Sequence, residues 1–214
     1  MGGVAVFDFD GTVIRGDSIV AMIAFARRRS LVRAPEMLRA ALFGVLYHVR
    51  LKDALAAKRA GHAFLTRMEP KARGAFLDEF AKSLADRAYP DALRQMEIHR
   101  KAGDKVLLCS ASGACYMTRV ARLLGADVLL CTPCAENGDV AGPNCRGQEK
   151  VRRVEAWLAE QGLSRGDICA AYGDSAGDAP VLRMSRHPVL VNAKRGLVKK
   201  LPEAERVAWR EKNG

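Results

Sequence analysis

Apolar positions recur in two rhythms along this chain, and the change between them falls near residue 88. Residues 3–8 (GVAVFD) form a short continuous apolar run halted by Asp10-Gly11-Thr12, which predicts a buried strand ending in a turn. From 17 to 87 the apolar residues return every three or four positions, which predicts helices throughout. "DSIVAMIAFARRR" opens on a candidate cap, Asp17 or Ser18, and closes on three arginines suited to a helix C-terminus. "APEMLRAALFGVLYHVR" carries Pro35 in its first turn, and "LKDALAAKRAGHAFLTRM" and "PKARGAFLDEFAKSLADRA" continue the pattern. Beyond it, helix 90–102, strand 105–109, helix 113–124, strand 127–131, helix 148–161, strand 168–172, a short helix and a last strand 188–191 alternate. Short apolar strands separated by helices imply an α/β fold with a central parallel sheet covered on both faces. The expected division is an α/β core from 1–16 and 88–214, interrupted by a helical insertion over 17–87. Asn137-Gly138 and Gly142-Pro143 predict a small hairpin or flap within 131–145, and the mixed-charge C-terminus reads as a tail.

A chain of 214 residues can bury a sizeable core. No segment reaches the roughly 18 uncharged apolar residues of a membrane span, and no signal peptide is recognisable before the first strand. The six cysteines form no disulfide framework, so reduced thiols and a cytoplasmic setting are expected. Cys131 and Cys134 have CxxC spacing, but no second pair or matching His pair accompanies them, and they read as strand and hairpin packing. His48, His62, His99 and His187 lack metal-ligand spacing and read as surface or boundary residues. The net charge of +11 suits solubility, an anionic substrate or an anionic membrane face. With 6% aromatics and no basic-aromatic interleaving, nucleic acid is not an expected partner. The apolar helices edged by arginines read as core-facing, with peripheral contact at the inner membrane face as the second reading.

The chemistry gathers at strand ends. Asp8 closes the first strand, Ser110 follows "KVLLC", and Asp174 follows "ICAAYG", so all three can face one crevice at the carboxyl edge of the sheet. Lys150, opening the helix in "GQEKVRRVE", can supply a cation there. Each has a plain alternative. Asp10-Gly11 can be only a turn, Ser110 or Ser112 only a helix cap, Lys150 only a solvated surface residue, and Asp174 and Asp178 only a turn and a cap. Their joint order on successive strand ends argues against those alternatives.

"DFDGTV", "LLCSAS", "GQEK" and "GDSAGD" occur in the order and approximate spacing of the four motifs of haloacid dehalogenase-like phosphatases, and the resemblance runs over residues 4 to 192. It implies a Rossmann-like core with an inserted all-helical type 1 cap. By the same resemblance Asp8 is the nucleophile that takes the phosphoryl group, and Asp10 is the general acid and base. Mg²⁺ is the implied cofactor, held by Asp8, the Asp10 carbonyl and Asp174, with Asp178 binding the ion or supporting its ligands. Ser110, Ala111 and Lys150 are implied to bind the phosphoryl group. A divalent cation would also answer the repulsion between Asp8 and Asp10, which the chain sets one residue apart with no Lys or Arg before Arg15.

The insertion and motif spacing are similar to subfamily IB, which includes phosphoserine phosphatases, where an acidic residue near the position of Asp17 receives the substrate ammonium. "NCRGQEKV" and the arginine-edged helices also resemble the phosphatidylglycerophosphatase C branch. The implied substrate is therefore a small-molecule or lipid phosphomonoester, with Lys58 or Arg59 as the reader of a second anionic group; Arg59 is the residue singled out. A phosphotransferase or mutase working through the same aspartyl phosphate is the rival enzyme. A non-catalytic basic protein that binds a membrane or an acidic partner is the rival outside enzymology. Oligomeric state is not legible.

Overall fold

A computed structural model describes residues 2–48 and 54–210 of the chain. Its centre is a six-stranded, wholly parallel sheet in the order β3-β2-β1-β4-β5-β6. Strand β1 spans Val4–Phe7 and is followed by helices α1 (Ser18–Arg28), α2 (Ala34–His48) and α3 (Ala54–His62), a 3₁₀ turn (Leu65–Arg67) and α4 (Pro70–Ala85). Alternation follows with α5 (Pro90–Lys101), β2 (Lys105–Gly113), α6 (Ala114–Leu123), β3 (Val128–Thr132), α7 (Gln148–Glu160), β4 (Ile168–Gly173), α8 (Ala179–Leu182), β5 (His187–Val191), α9 (Arg195–Val198) and β6 (Glu205–Val207). The expected elements are present, and α9 is an addition to them, as is β6. Strand β6 pairs with β5 at the sheet edge, and Asn192 in the preceding loop exchanges hydrogen bonds with Trp209 just beyond it. The expected second helix ran to residue 50 and the third began at 51; both ends, and 211–214 of the tail, lie outside the described residues.

The pleat of β1 sorts its side chains between two cores. Ala5 and Phe7 enter one that also holds Met22, Phe25, Phe76, Phe80, Tyr116 and Val120, while Val4 and Val6 enter the other, with Val154, Leu158, Val181 and Leu197. The faces of the sheet are thus covered by α1, α4, α5 and α6 on one side and by α7, α8 and α9 on the other, the arrangement a parallel sheet requires. Phe7 stacks on Tyr172 of the adjacent strand with ring centroids 4.3 Å apart. Phe25, Phe76, Phe80 and Tyr116 carry the aromatic contacts from the helices after β1 onto α6. Fully burying one such side chain contributes about 1.5–3 kcal/mol.

Among the described residues no helix is long and apolar enough to cross a membrane. Two histidines depart from expectation. His62 is fully buried at the end of α3, and His99 is buried in α5 with its nitrogens on Asp104 and Tyr172. His187 is exposed, as expected, and pairs with Glu205 across the β5–β6 edge. The side chain of His48 lies outside the described residues.

Candidate active site

Register explains why the strand-end residues meet. Phe7 pairs with Leu108 on one side and Tyr172 on the other, so Asp8, Cys109-Ser110 and Gly173-Asp174 leave the sheet at one level. The Asp8 amide still donates to the Tyr172 carbonyl at 3.0 Å, which holds it in line with β4. By alternation Asp8 turns to the side of Val4 and Val6, the face covered by α7. Lys150, in the first turn of α7, meets it there, with Nζ 2.6 Å from Asp8 Oδ1 and 2.7 Å from Asp178 Oδ1. Lys150 is 1% exposed, which rules out a solvated surface lysine. Gly147 starts α7 at φ 60°, ψ −125°, a backbone shape that only glycine adopts comfortably, so the turn aiming Lys150 depends on that residue.

Asp174 and Asp178 complete the carboxylate group. Asp8, Asp174 and Asp178 are all buried and present oxygens within 4.8 Å of one another. Asp174 Oδ2 lies 2.5 Å from Lys194 Nζ, and Asp178 Oδ2 accepts from the Ser175 amide and hydroxyl at 3.1 and 2.8 Å. Burial and the Asp178 carboxylate push Asp8 up to about 8, against the pull of Lys150. Burial alone would free the Lys150 proton, but Asp178 and Asp8 hold the ammonium well above the usual lysine range. Asp178 itself is held below the usual carboxylate range, Lys150 overcoming the cost of burial.

Asp10 sits in a different setting. Its Oδ1 accepts from the Ser18 amide at 2.8 Å, and its Oδ2 from the hydroxyls of Ser112 at 2.5 Å and Ser18 at 3.1 Å. Ser18 also meets Ser112 and Tyr116, so a small hydroxyl network fixes this carboxylate. Burial and the nearby Asp17 carboxylate push Asp10 up to about 6, against these donors. Two carboxylates with a single residue between them are thus fixed by different partners, Asp8 by a lysine and Asp10 by hydroxyls and an amide.

The cleft holding these groups has a volume of about 160 Å³, with Ala111, Arg146 and Asp17 on its wall. Its lining carries five acidic side chains against three basic ones, an excess of two acidic groups. Buried oxygen donors with that excess suit a hard divalent cation such as Mg²⁺. Gly11 keeps the ligand group open: it has φ +82°, and a Cβ there would lie 2.4 Å from Asp174 Oδ2.

The other expected residues divide. Asp17 caps α1 through Oδ1, which accepts from the Ile19 and Val20 amides, while Ser18, the alternative cap, belongs to the Asp10 network. Ser110 is fully buried and accepts from the Ser112 amide at 3.0 Å. Neither Ser110 nor Ser112 caps α6, whose cap position is Gly113. Arg59 does not reach the cleft; it is exposed and its Nε lies 3.4 Å from the Val140 carbonyl. Its neighbour Lys58 turns inward instead, donating to the Ala111 carbonyl and to Asn144 Oδ1, and burial pulls its ammonium down to about 8. Sequence reasoning passed over Ser112 and Ser18 as partners of Asp10, Thr12, whose hydroxyl is 3.2 Å from Asp8 Oδ2, and Lys194. Thr12 and Ser112 lie inside quoted motifs and were within reach; Lys194 follows the last predicted strand without a motif.

Comparison with known proteins agrees with this fold. The chain is 29% identical over 224 residues to a histidinol-phosphatase of Neisseria meningitidis serogroup C, covering 98% of this chain and 97% of that one. It is 32% identical over 188 residues to protein CicA of Caulobacter vibrioides, covering 84% and 81%. A crystal structure of a protein of unknown function from Bordetella pertussis Tohama I superimposes with a TM-score of 0.86 at 25% identity, covering 97% of this chain and 98% of that one. The family profile described as haloacid dehalogenase-like hydrolase matches residues 5–183, a span that begins inside β1 and takes in Asp8, Asp10, Lys150, Asp174 and Asp178 together, and the chain belongs to that family.

Proposed function

We propose that the protein is a Mg²⁺-dependent phosphatase that hydrolyses a small phosphomonoester through an aspartyl phosphate on Asp8. The observation that carries this reading is the pairing of Asp8, beside Lys150 and two further buried carboxylates, with Asp10, fixed by hydroxyl and amide donors and pushed up to about 6. Asp8, Asp174 and the Asp10 carbonyl would hold the cation, with Asp178 beside them. When bound, it offsets the repulsion between the carboxylates and the substrate dianion.

In the first step an Asp8 carboxylate oxygen attacks phosphorus, the bond from phosphorus to the ester oxygen breaks, and Asp10 donates its proton to the departing alkoxide. In the second, Asp10 takes a proton from water as that water attacks phosphorus. The bond between phosphorus and the Asp8 oxygen breaks, releasing inorganic phosphate and restoring the Asp8 carboxylate and the protonated Asp10. Lys150 steadies the negative charge on Asp8 and on the transferring group. A general acid and base works best with a pKa near the operating pH, which suits Asp10 to both steps. Helices α1–α4 form the cap over residues 17–87 in this reading, and Lys58 carries a cationic side chain from it to the wall of the cleft.

Similarity to a histidinol-phosphatase over nearly the whole of both chains, together with the Asp17 carboxylate on the cleft wall, favours an amine-bearing substrate over a lipid. The test is phosphate release from histidinol phosphate, phosphoserine, sugar phosphates, nucleotides and phosphatidylglycerophosphate, with Mg²⁺ and with EDTA. Release that requires Mg²⁺ and favours an amino-alcohol phosphate supports the reading. No release from any ester by folded, Mg²⁺-supplied protein overturns it.

Two variants probe the geometry. Gly11→Ala drives a methyl group onto Asp174 and is expected to lower kcat/KM by about 10²-fold, the usual consequence of displacing a reacting group by an ångström. Unchanged kinetics would separate Asp174 from the chemistry. Ser112→Ala removes a donor that pulls Asp10 downward. The limb of the kcat/KM profile that requires protonated Asp10 then falls off at higher pH than in the wild type; a limb that stays in place would assign it to another group.

A further inference from the structure

A second cluster of potential ligands lies apart from the carboxylates, where the helices after β1 meet the sheet. His62 ends α3, Cys115 lies in the first turn of α6, and Cys134 lies in the loop after β3, where it bridges to Val140. One nitrogen and two sulfur atoms from these residues fall within 4.8 Å of one another. The tautomer of His62 follows from its surroundings. Its Nδ1 is 2.9 Å from the Gly138 carbonyl, and a carbonyl can only accept, so Nδ1 carries the proton. Nε2 is left with a lone pair, and that atom is buried with no hydrogen-bond partner in a residue that is 0% exposed. An orphaned buried polar atom costs about 1–3 kcal/mol unless something fills the role of its partner.

Space for that partner comes from Gly113. A Cβ there would lie 2.7 Å from His62 Cε1, 3.0 Å from Cys134 Sγ and 3.4 Å from His62 Nε2, so the missing side chain keeps the ligands clear. Cys115 Sγ is 3.8 Å from His62 Nδ1, and Cys134 Sγ is 4.0 Å from the Thr132 carbonyl, so both thiols lie beside the ring with no strong hydrogen bond of their own. A histidine that gives one nitrogen's proton to a backbone carbonyl and keeps the other nitrogen bare is oriented as metal-binding histidines are.

We propose that His62, Cys115 and Cys134 form a binding site for a thiophilic divalent cation of the Zn²⁺ class, separate from the carboxylate site. Two thiolates and an imidazole discriminate against Mg²⁺ and match three corners of the tetrahedron Zn²⁺ adopts, with water at the fourth. Binding makes two bonds to sulfur and one to nitrogen and releases the protons of the two thiols, so the +2 ion is neutralised by two thiolates. The bound ion ties the end of α3 to α6 and to the loop after β3. Lys58, one turn before His62 on the same helix face, is thereby held against the Ala111 carbonyl on the wall of the cleft.

The test is titration of the reduced, chelator-stripped, full-length protein with Co²⁺, followed by absorption and then displacement with Zn²⁺. The expected result, with excess Mg²⁺ present, is a sulfur-to-cobalt charge-transfer band and the intense visible bands of tetrahedral cobalt at one equivalent per chain. Zn²⁺ should abolish both, Asp174→Asn should retain them, and Cys115→Ser and Cys134→Ser should each lose the full charge-transfer intensity. A wild-type protein that stays folded and takes up Co²⁺ without a charge-transfer band holds it only on carboxylates, which overturns the proposal. So does the absence of uptake. The wild-type spectrum decides even if a cysteine variant fails to fold, and it does so independently of any phosphatase assay.

Discussion

Asp8→Asn is expected to lower phosphate release by on the order of 10⁴- to 10⁶-fold, the loss seen when a covalent nucleophile is removed and only binding and electrostatic stabilisation remain. The amide is nearly isosteric with the carboxylate but cannot attack phosphorus. Its neighbours keep their places, because Lys150 retains Asp178 at 2.7 Å and Thr12 can still donate to the amide oxygen. Circular dichroism and the urea midpoint should therefore stay close to wild type while steady-state release disappears. A variant that keeps more than about one per cent of the rate would show that phosphoryl transfer goes directly to water, without Asp8 as acceptor.

Lys150→Met should act on stability as strongly as Asp8→Asn acts on turnover. Lys150 is the cation between two buried carboxylates, and truncating one partner of a buried ion pair costs about 3–5 kcal/mol because the other is left uncompensated. The loss should depend on pH with a definite sign. Asp8 keeps its proton up to about 8 even beside the ammonium, so the change falls on Asp178. Without Lys150 it loses the cation that holds it below the usual carboxylate range and stays protonated to higher pH, whereas the unfolded chain releases that proton near the ordinary carboxylate pKa. The native state then binds more protons than the unfolded state, so the variant loses stability steadily as pH rises from about 5 to about 8. Urea unfolding in EDTA across that range measures it, and added Mg²⁺ should recover part of the loss by replacing the missing positive charge. A flat difference from wild type would mean that the two carboxylates do not share their charge.

Much of this was readable in the residues because sheet-forming runs and their polar ends are local patterns. Asp8, Ser110 and Asp174 each follow a continuous apolar run, and parallel pairing then leaves little freedom over which crevice they face. Features that depend on rotation or on distant neighbours were not readable. A helix turns by about 100° per residue, so one position separates Lys58, which donates to Ala111 and Asn144, from Arg59, which faces solvent. Hydrophobic patterning would place either residue outward; the carbonyl and amide acceptors that draw Lys58 inward lie more than 50 positions away. Strand β6 escaped notice because Glu205, Arg206 and Val207 lie at a sheet edge and need no apolar run. His62, Cys115 and Cys134 share no spacing motif, and only the packing of α3 on the sheet brings them together.

The position of β1 in the sheet also governs the order in which the protein can be made. Val4 is synthesised before both of its neighbours in the sheet, Lys105 and Ile168. A nascent chain that has emerged only through α4 carries the Asp8 strand with both edges open, and one that ends after β3 can pair it on one side alone. Joining such distant segments is entropically slow, so Asp8 gains its surroundings only after Asp174 and Asp178 have left the ribosome. Until then Asp8 stands apart from the groups that surround it in the finished fold, and the carboxylate cluster forms among the last parts of the molecule.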